Sequence, residues 1–149
     1  MKNLHFDAVI FDLDGVVTDT AAIHSVAWKQ MFDEYLHIHA QRTKTPFREF
    51  THEHDYLPYV DGKPRYKGVA SFLSSRHIDL PFGDPGDAPA EETVCGLGNR
   101  KNQLFNEKIS DGNVTVFKGT VDFIHELQAA GIRVGLASSS KNTRTVLQV

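Results

Sequence analysis

The sequence is poor in several features that would indicate particular classes of protein. It has one cysteine, Cys95, among 149 residues, which excludes an internal disulfide framework and makes a cytoplasmic setting the default expectation. Its formal net charge of −3 gives no broad basic field for nucleic acid. Acids interrupt the apolar opening MKNLHFDAVIFDLDG, so we predict neither a signal peptide nor a membrane span. With 40% hydrophobic and 23% charged residues, the chain should nevertheless bury a core.

The hydrophobic pattern predicts strands and helices in an α/β order. Phe6–Phe11 (FDAVIF) and Ile132–Ala137 (IRVGLA) are short apolar runs typical of interior strands in a parallel sheet. Thr20 is a candidate N-cap for the first helix, and Gly131 occupies the C-cap glycine position of a later one. Helical periodicity extends over residues 20–36, 68–76, 99–109 and 121–130, and another helix begins at residue 142.

Less regular segments separate these elements. Residues 40–66 should form short helices broken by a loop, residues 79–92 an exposed connection rich in proline, glycine and aspartate, and residues 110–113 (SDGN) a turn. We therefore predict a Rossmann-like parallel-sheet core with an inserted α-helical cap. The core comprises residues 1–19 and 113–149, is incomplete at its carboxyl end, and is interrupted by a cap at residues 20–112.

Two carboxylates follow the first predicted strand directly. Asp12 and Asp14 stand two residues apart in FDLDG, and side chains at this spacing on an extended segment project to the same side. Two close carboxylates repel, so the pair needs a cation or a shared proton. Magnesium (Mg2+) would satisfy both acids and screen an incoming phosphate, so that Asp12 could attack phosphorus while Asp14 transfers a proton. An acidic turn without chemistry is the alternative for a bare Asp-x-Asp pair.

The longer stretch VIFDLDGVVTDT resembles the first motif of the haloacid dehalogenase superfamily at nearly every position. FDLDGVVTDTAAIHSVAW and VFKGTVDFIHELQAAGIRVGLASSSKN are similar to the β-phosphoglucomutase-type members of that superfamily, and they cover about a third of the chain. DGKPRYKGV and GNRKNQLF resemble parts of the helical cap. The resemblance implies the superfamily's α/β fold and its phosphotransferase chemistry.

The resemblance also implies roles for individual core residues. It makes Asp12 the nucleophile and a magnesium ligand, and Asp14 the acid/base residue and the second metal residue, through its backbone carbonyl. Ser138 takes the place of the second-motif hydroxyl that binds the transferring phosphoryl group. Three further phosphate-binding residues are implied just beyond it: Ser140, Lys141 and Asn142.

In the cap, the resemblance implies a substrate-binding set. His24 and Trp28 match a pair that lies near the sugar, and their i, i+4 spacing puts both on one helix face. Arg65 resembles the arginine that binds the non-transferring phosphate, a task suited to a planar guanidinium. Gly62 and Lys101 complete the set.

Several of these residues have simpler interpretations. LASSSKN is also typical of a serine-rich turn that caps a helix, Trp28 could anchor the core of the cap, and Arg65 could be a surface arginine. The histidines and acids of HIH (37–39) and THEHD (51–55) include zinc-ligand types. They do not follow a recognised zinc spacing, so we expect solvated cap residues there.

Three functions remain open at this point. The leading hypothesis is a phosphosugar mutase that interconverts β-glucose 1-phosphate and glucose 6-phosphate through an aspartyl-phosphate at Asp12. A sugar-phosphate phosphatase with the same intermediate is the second, and a non-catalytic interaction module the third. The superfamily's later lysine and acidic-pair motifs would lie beyond residue 149. We therefore expect the chain to be part of a longer, monomeric enzyme that binds a sugar phosphate and neither nucleic acid nor membrane.

Overall fold

The computed structural model of the protein describes residues 6–110 and 114–148. Residues 111–113 of the predicted SDGN turn lie outside the described residues. The elements in chain order are β1 (Ala8–Asp12), α1 (Thr20–Thr43), a π-helical turn (His52–Tyr56), α2 (Leu57–Tyr59), α3 (Arg65–Ser75), α4 (Val94–Ser110), α5 (Lys118–Ala129), β2 (Arg133–Ala137) and α6 (Thr143–Val146). No helix within these described ranges is long and apolar enough to cross a membrane.

The chain divides into two compact units. Met1–Ala22 with Gly112–Val149 form one, here called the core unit, and Ile23–Asp111 form the other, here called the cap unit. That the first carries phosphotransferase chemistry and the second covers it stays a prediction.

The core unit contains a parallel pair of strands. β1 and β2 are hydrogen-bonded in register from Ala8↔Arg133 to Asp12↔Ala137, which confirms the predicted adjacent parallel strands. The predicted burial of both strands is wrong, since Ile10 is 71% and Leu136 40% exposed. In the described part of the chain the sheet has only these two strands, so each strand is an edge, and apolar faces stay uncovered.

Helix α5 leads into β2 and ends as predicted. Gly131 has φ of 79°, and its N–H donates to the carbonyl of Gln128 while the N–H of Ile132 donates to that of Leu127. This is the hydrogen-bond pattern of a left-handed glycine cap. The chain therefore reverses within one residue to enter the strand.

The cap unit has an aromatic core built on α1. The predicted apolar stripe is confirmed, because Ala27, Met31 and Phe32 are at most 1% exposed. The ring of Phe32 lies 4.8 Å from that of Phe50 and 4.2 Å from that of Phe72 between centroids. These contacts tie α1 to α3 and to the segment before the π-helical turn.

Several helix boundaries differ from the prediction. Helix α3 begins at Arg65 rather than at residue 68, and α5 begins at Lys118 rather than at residue 121. Thr20 is the first residue of α1 rather than its N-cap, and α1 continues to Thr43 because Ala40 is still buried. Helix α4 begins at Val94, five residues before the predicted start at residue 99. A Cβ on Gly98 would lie 2.7 Å from the Tyr66 ring, so this glycine allows close packing inside a helix rather than breaking it.

Candidate active site

The carboxyl ends of the two strands bring together acids and a serine that are far apart in sequence. Asp12 is the last residue of β1, and its Oδ1 accepts a hydrogen bond from the N–H of Leu13 at 2.7 Å. Its register partner, Ala137, is followed directly by Ser138. Parallel pairing therefore puts Asp12 and Ser138 at the same edge of the sheet.

The carboxylate of Asp14 is held by two hydroxyl groups. Ser138 Oγ donates to its Oδ2 at 3.2 Å, and Thr20 Oγ1 donates to its Oδ1 at 2.5 Å. Asp14 and Ser138 thus meet in the structure, although they lie 124 positions apart in the sequence. Because both bonds are made to a charged acceptor, they fix the carboxylate more firmly than neutral hydrogen bonds would.

Thr20, a candidate helix cap from its position in the sequence, instead contributes a hydroxyl to this site. Thr20 is fully buried and Thr18 is 2% exposed, and their hydroxyl oxygens lie 2.8 Å apart. Each hydroxyl has one hydrogen. Since Thr20 gives its hydrogen to Asp14, the one hydrogen of Thr18 is shared between Thr20 Oγ1 and the carbonyl of Leu13, to which Thr18 Oγ1 donates at 3.2 Å. In the sequence, the two threonines of TDT (Thr18 and Thr20) were the feature that could have indicated this pair of hydroxyls.

The serine-rich turn after β2 uses its hydroxyls locally as well. Ser138 Oγ accepts from the N–H of Ser140, and Ser140 Oγ accepts from the N–H of Asn142, both at 3.1 Å. Asn142 is the N-cap position of the four-residue α6, and Lys141 is exposed. The serine hydroxyls therefore hold the backbone of the turn, as in the simpler interpretation, although Asn142 makes no side-chain capping bond at the start of α6, and Ser138 in addition contacts Asp14. Phosphate binding by these four residues stays a prediction.

The strand ends also offer oxygen ligands for a cation. No group of three or more His, Cys, Asp or Glu side chains is arranged to hold a metal within residues 6–110 and 114–148. The donor types of Asp12 and Asp14 are those that magnesium accepts, since it binds one or two carboxylates and completes its shell with water and phosphate oxygens; magnesium binding by these two residues stays a prediction. Both carboxylate oxygens of Asp14 already accept hydroxyl hydrogens, which agrees with a metal contact through its backbone carbonyl.

Three of the predicted cap residues form one cluster. Lys101, which is 4% exposed, places its Nζ 2.5 Å from Nδ1 of His24 and 5.3 Å from the centre of the Trp28 ring. His24 stacks on Phe105 at 4.1 Å. An ammonium group can only donate, so Nδ1 accepts and the ring hydrogen of a neutral His24 lies on Nε2. Trp28 is 5% exposed and stacks on Phe32, as expected of a residue that anchors the cap core.

Arg65, the first residue of α3, has different partners. Its Nη1 donates to Asn99 Oδ1 at 3.3 Å and its Nη2 to Asn102 Oδ1 at 2.8 Å. Burial lowers the pKa of the Arg65 guanidinium, against the opposing effect of Tyr66. Gly62 lies in the turn before α3 with φ of 68°. An open groove along α4 is lined by Pro89, Asn99, Asn102, Gln103, Asn106, Glu107 and Ser110.

The histidine-rich segments have structural partners. His37 stacks on Phe47 at 3.6 Å, and His52 lies 3.0 Å from Ser25 Oγ through Nδ1. Asp55 pairs with Arg76. His37 and His52 are exposed, as expected of solvated cap residues. Asp55 is only 2% exposed, so the expectation is wrong for this residue, whose charge is paired with Arg76.

Comparisons with known proteins decide the family. The model of the haloacid dehalogenase-like hydrolases matches residues 6–148. The chain belongs to this family. Within the haloacid dehalogenase family it is 52% identical over 140 residues to a Mycobacterium bovis protein named β-phosphoglucomutase, covering 94% of this chain and 53% of that protein. It is 34% identical to the Bacillus subtilis protein of the same name, over 95% of this chain and 54% of that one.

Solved structures agree with this assignment. The crystal structure of β-phosphoglucomutase from Clostridium difficile matches with a TM-score of 0.70 and 25% identity, over 97% of this chain and 56% of that one. The archaeal β-phosphoglucomutase from Pyrococcus sp. Strain ST 04 matches with a TM-score of 0.62 and 30% identity, over 93% and 55%. The chain thus spans about half the length of the relatives it matches.

Proposed function

We propose that the protein is a phosphosugar mutase that interconverts β-glucose 1-phosphate and glucose 6-phosphate. The observation that carries this proposal is the 52% identity, over 94% of the chain, to a protein named β-phosphoglucomutase. The contact of Asp14 with Ser138 supports it, because it joins the two motifs that such chemistry requires.

The proposed reaction uses two carboxylates in different roles. A carboxylate oxygen of Asp12 forms a bond to phosphorus as the bond from phosphorus to the sugar oxygen breaks, and Asp14 gives a proton to that leaving oxygen. This transfer is the second half of the cycle. In the first half the free hydroxyl of a sugar monophosphate attacks the aspartyl-phosphate, the bond from phosphorus to Asp12 breaks, and Asp14 takes the hydroxyl proton. The resulting bisphosphate turns round before Asp12 takes the other phosphoryl group, so that phosphate moves between positions 1 and 6. Asp12 and Asp14 would hold magnesium, which would screen the charge of the phosphoryl group.

The fixed hydroxyls suit the role assigned to Asp14. An acid/base group must be held near the oxygen whose proton it transfers, and Thr20 and Ser138 each restrain one oxygen of this carboxylate. Ser138, at the strand end next to Asp12, is also the residue proposed to contact the phosphoryl group. In the cap unit, Arg65 is proposed to bind the phosphate that is not reacting.

A sugar-phosphate phosphatase is the second candidate. The family model is described as a hydrolase, and the same aspartyl-phosphate can pass its phosphoryl group to water. The two functions differ in their need for a second phosphate contact, which a phosphatase does not require.

The test measures two reactions on the same variants. Asp12→Asn should abolish both the conversion of β-glucose 1-phosphate to glucose 6-phosphate and the release of inorganic phosphate. Arg65→Ala should lower conversion by about ten- to a hundredfold, the effect of losing a charge-assisted contact, while phosphate release stays nearly unchanged. Arg100→Ala, which removes an arginine of α4 bound to Glu34, is the matched control and should alter neither. Equal loss in both reactions, or none, for Arg65→Ala would favour the phosphatase.

A further inference from the structure

Arg65 differs from three other arginines of the cap unit in the type of group that accepts its hydrogen bonds. Arg42, Arg76 and Arg100 each form an ion pair with a carboxylate. Arg65 is half-buried and its side-chain hydrogen bonds go to amide oxygens. No carboxylate pairs with it within the described ranges.

The network around Asn99 fixes which end of its amide faces Arg65. Asn99 Nδ2 donates to the carbonyls of Pro85 and Asp87 at 3.1 and 2.8 Å. Those two bonds use both hydrogens of the NH2 group, and a carbonyl can only accept. Asn99 Oδ1 is therefore directed to Tyr66 Oη at 2.9 Å and to Arg65.

The loop that holds Asn99 is itself anchored to the start of α4. The N–H of Val94 donates to the carbonyl of Pro81, and Thr93 Oγ1 donates to Asp87 Oδ2 at 2.6 Å. Asn102 follows Asn99 by three residues, which places both on one helix face. The side-chain oxygens of Asn99 and Asn102 thus each accept a hydrogen bond from one terminal nitrogen of the Arg65 guanidinium.

Neutral acceptors and carboxylates have different consequences for an arginine. A carboxylate orients the guanidinium and also cancels its charge. An amide oxygen orients it and leaves a full positive charge, and in a partly desolvated site that charge acts more strongly than in water. Maintaining it has a cost, since burial lowers the pKa of Arg65. An uncompensated charge kept in place at a cost is typical of binding sites.

We propose that Asn99 and Asn102 are positioning residues that hold Arg65 in a fixed direction without neutralising it, so that it can bind the phosphate of a sugar phosphate. This role rests on the proposed function, which gives Arg65 a phosphate to bind. Arg65, Asn99 and Asn102 would then act as one anion-binding unit, in which only the arginine touches the ligand.

The test uses the purified chain, with D-glucose 6-phosphate as the probe in calorimetric or NMR titrations. Asn102→Asp keeps the side-chain shape and converts the amide contact into an ion pair with Arg65. We expect its affinity to fall by about tenfold or more, the effect of losing a charge-assisted contact to the ligand. Gln103→Glu adds the same charge at the next, exposed residue of α4 and should change affinity less than about twofold, as for a screened surface charge.

A second readout distinguishes positioning from a structural role. The new ion pair should leave the unfolding temperature of Asn102→Asp unchanged or higher, so that affinity and stability move in different directions. A loss of affinity accompanied by a matching loss of stability would overturn the proposal. So would wild-type affinity in Asn102→Asp, even if Arg65→Ala binds weakly and the role of Arg65 survives.

If the proposed phosphate-binding role of Arg65 is itself wrong, the titrations give a different result. If Arg65→Ala binds the probe as well as the unsubstituted chain, or if the unsubstituted chain shows no saturable binding, the phosphate role of Arg65 is lost and this proposal with it. Aspartyl-phosphate formation at Asp12 is measured separately and decides the chemistry of the core unit.

Discussion

The ion pair between Asp55 and Arg76 allows a quantitative test of the cap unit. Arg76 Nε and Nη2 donate to Asp55 Oδ1 at 3.2 and 2.9 Å, and the two side chains are 10% and 3% exposed. The N–H and hydroxyl of Thr51 donate to Asp55 Oδ2. Arg76 also donates to the carbonyl of Glu49, so it links the segment before the π-helical turn to the end of α3.

Arg76→Met keeps much of the side-chain length and removes the charge. It leaves Asp55 buried with an unpaired charge, and breaking a buried pair in this way costs about 3–5 kcal/mol of unfolding free energy. Arg42→Met is the matched control, because Arg42 and Glu92 are 59% and 39% exposed. Removing the charge from an exposed pair should cost little unfolding free energy, because water and salt screen the pair.

The same substitution should change the dependence of stability on pH. Burial would raise the pKa of Asp55, but the bonds from Thr51 and Arg76 outweigh it and hold the pKa below its ordinary value. A lowered pKa in the folded state stabilises the fold above the unfolded-state value of about 3.9, and this contribution is lost as pH falls through the folded-state value. In Arg76→Met, this loss of stability should begin at a higher pH than in the unsubstituted chain.

The assay is urea unfolding followed by the fluorescence of Trp28, the one tryptophan of the chain, which is buried in the cap unit. Measurements at neutral pH give the difference in unfolding free energy between Arg76→Met and Arg42→Met. A series of measurements at decreasing pH gives the pH at which each variant loses stability. Equal losses for Arg76→Met and Arg42→Met, or an acid transition that does not move in Arg76→Met, would refute the energetic role assigned to this pair.

Two further substitutions test the core unit. Thr20→Val preserves shape but removes the hydroxyl donor to Asp14, so conversion of β-glucose 1-phosphate should fall by about tenfold or more, whereas Thr45→Val on the exposed surface should leave it unchanged. Ile10→Lys places a charge on an exposed edge strand, where lysine opposes pairing between chains, so light scattering at high concentration should show less self-association than for the unsubstituted chain. Val26→Lys on α1, where Val26 is 52% exposed, is the control, and an equal reduction there would show that the sheet is not responsible.

Much of the core unit could be predicted because its rules are local. Apolar runs indicate strands whatever surrounds them, and the carboxyl ends of adjacent parallel strands meet at one edge, so the convergence of Asp14 with Ser138 follows from two motifs. The burial of the strands could not be predicted in the same way. Whether Ile10 is covered depends on how many strands flank it, and its own sequence does not contain that information.

Side-chain partners were harder to predict than elements. Thr20 stands at a helix start, where capping is the common role of threonine, yet its hydroxyl bonds to Asp14 six residues earlier. The start of α4 was not predicted from the sequence because Gly96 and Gly98 lie in its first turns, and glycine usually weakens a helix. Here Gly98 is needed to let Tyr66 approach, and this requirement exists only once α3 and α4 are packed together.

Arg65 and Arg76 show why the type of residue alone could not separate function from structure. Both are arginines of the cap unit, at the two ends of α3, and both lie over an aromatic ring, Tyr66 in one case and Phe72 in the other. Their partners lie 34 and 37 positions away for Arg65 and 21 for Arg76, beyond the range of any local pattern. The charge of the partner carries the proposed distinction. A carboxylate pairs with Arg76 in a link between two segments, whereas the amides on Arg65 leave its charge uncancelled for the phosphate that we propose it binds. Exchanging amide for carboxylate at Asn102 therefore tests whether the chemistry of the partner determines the role of an arginine.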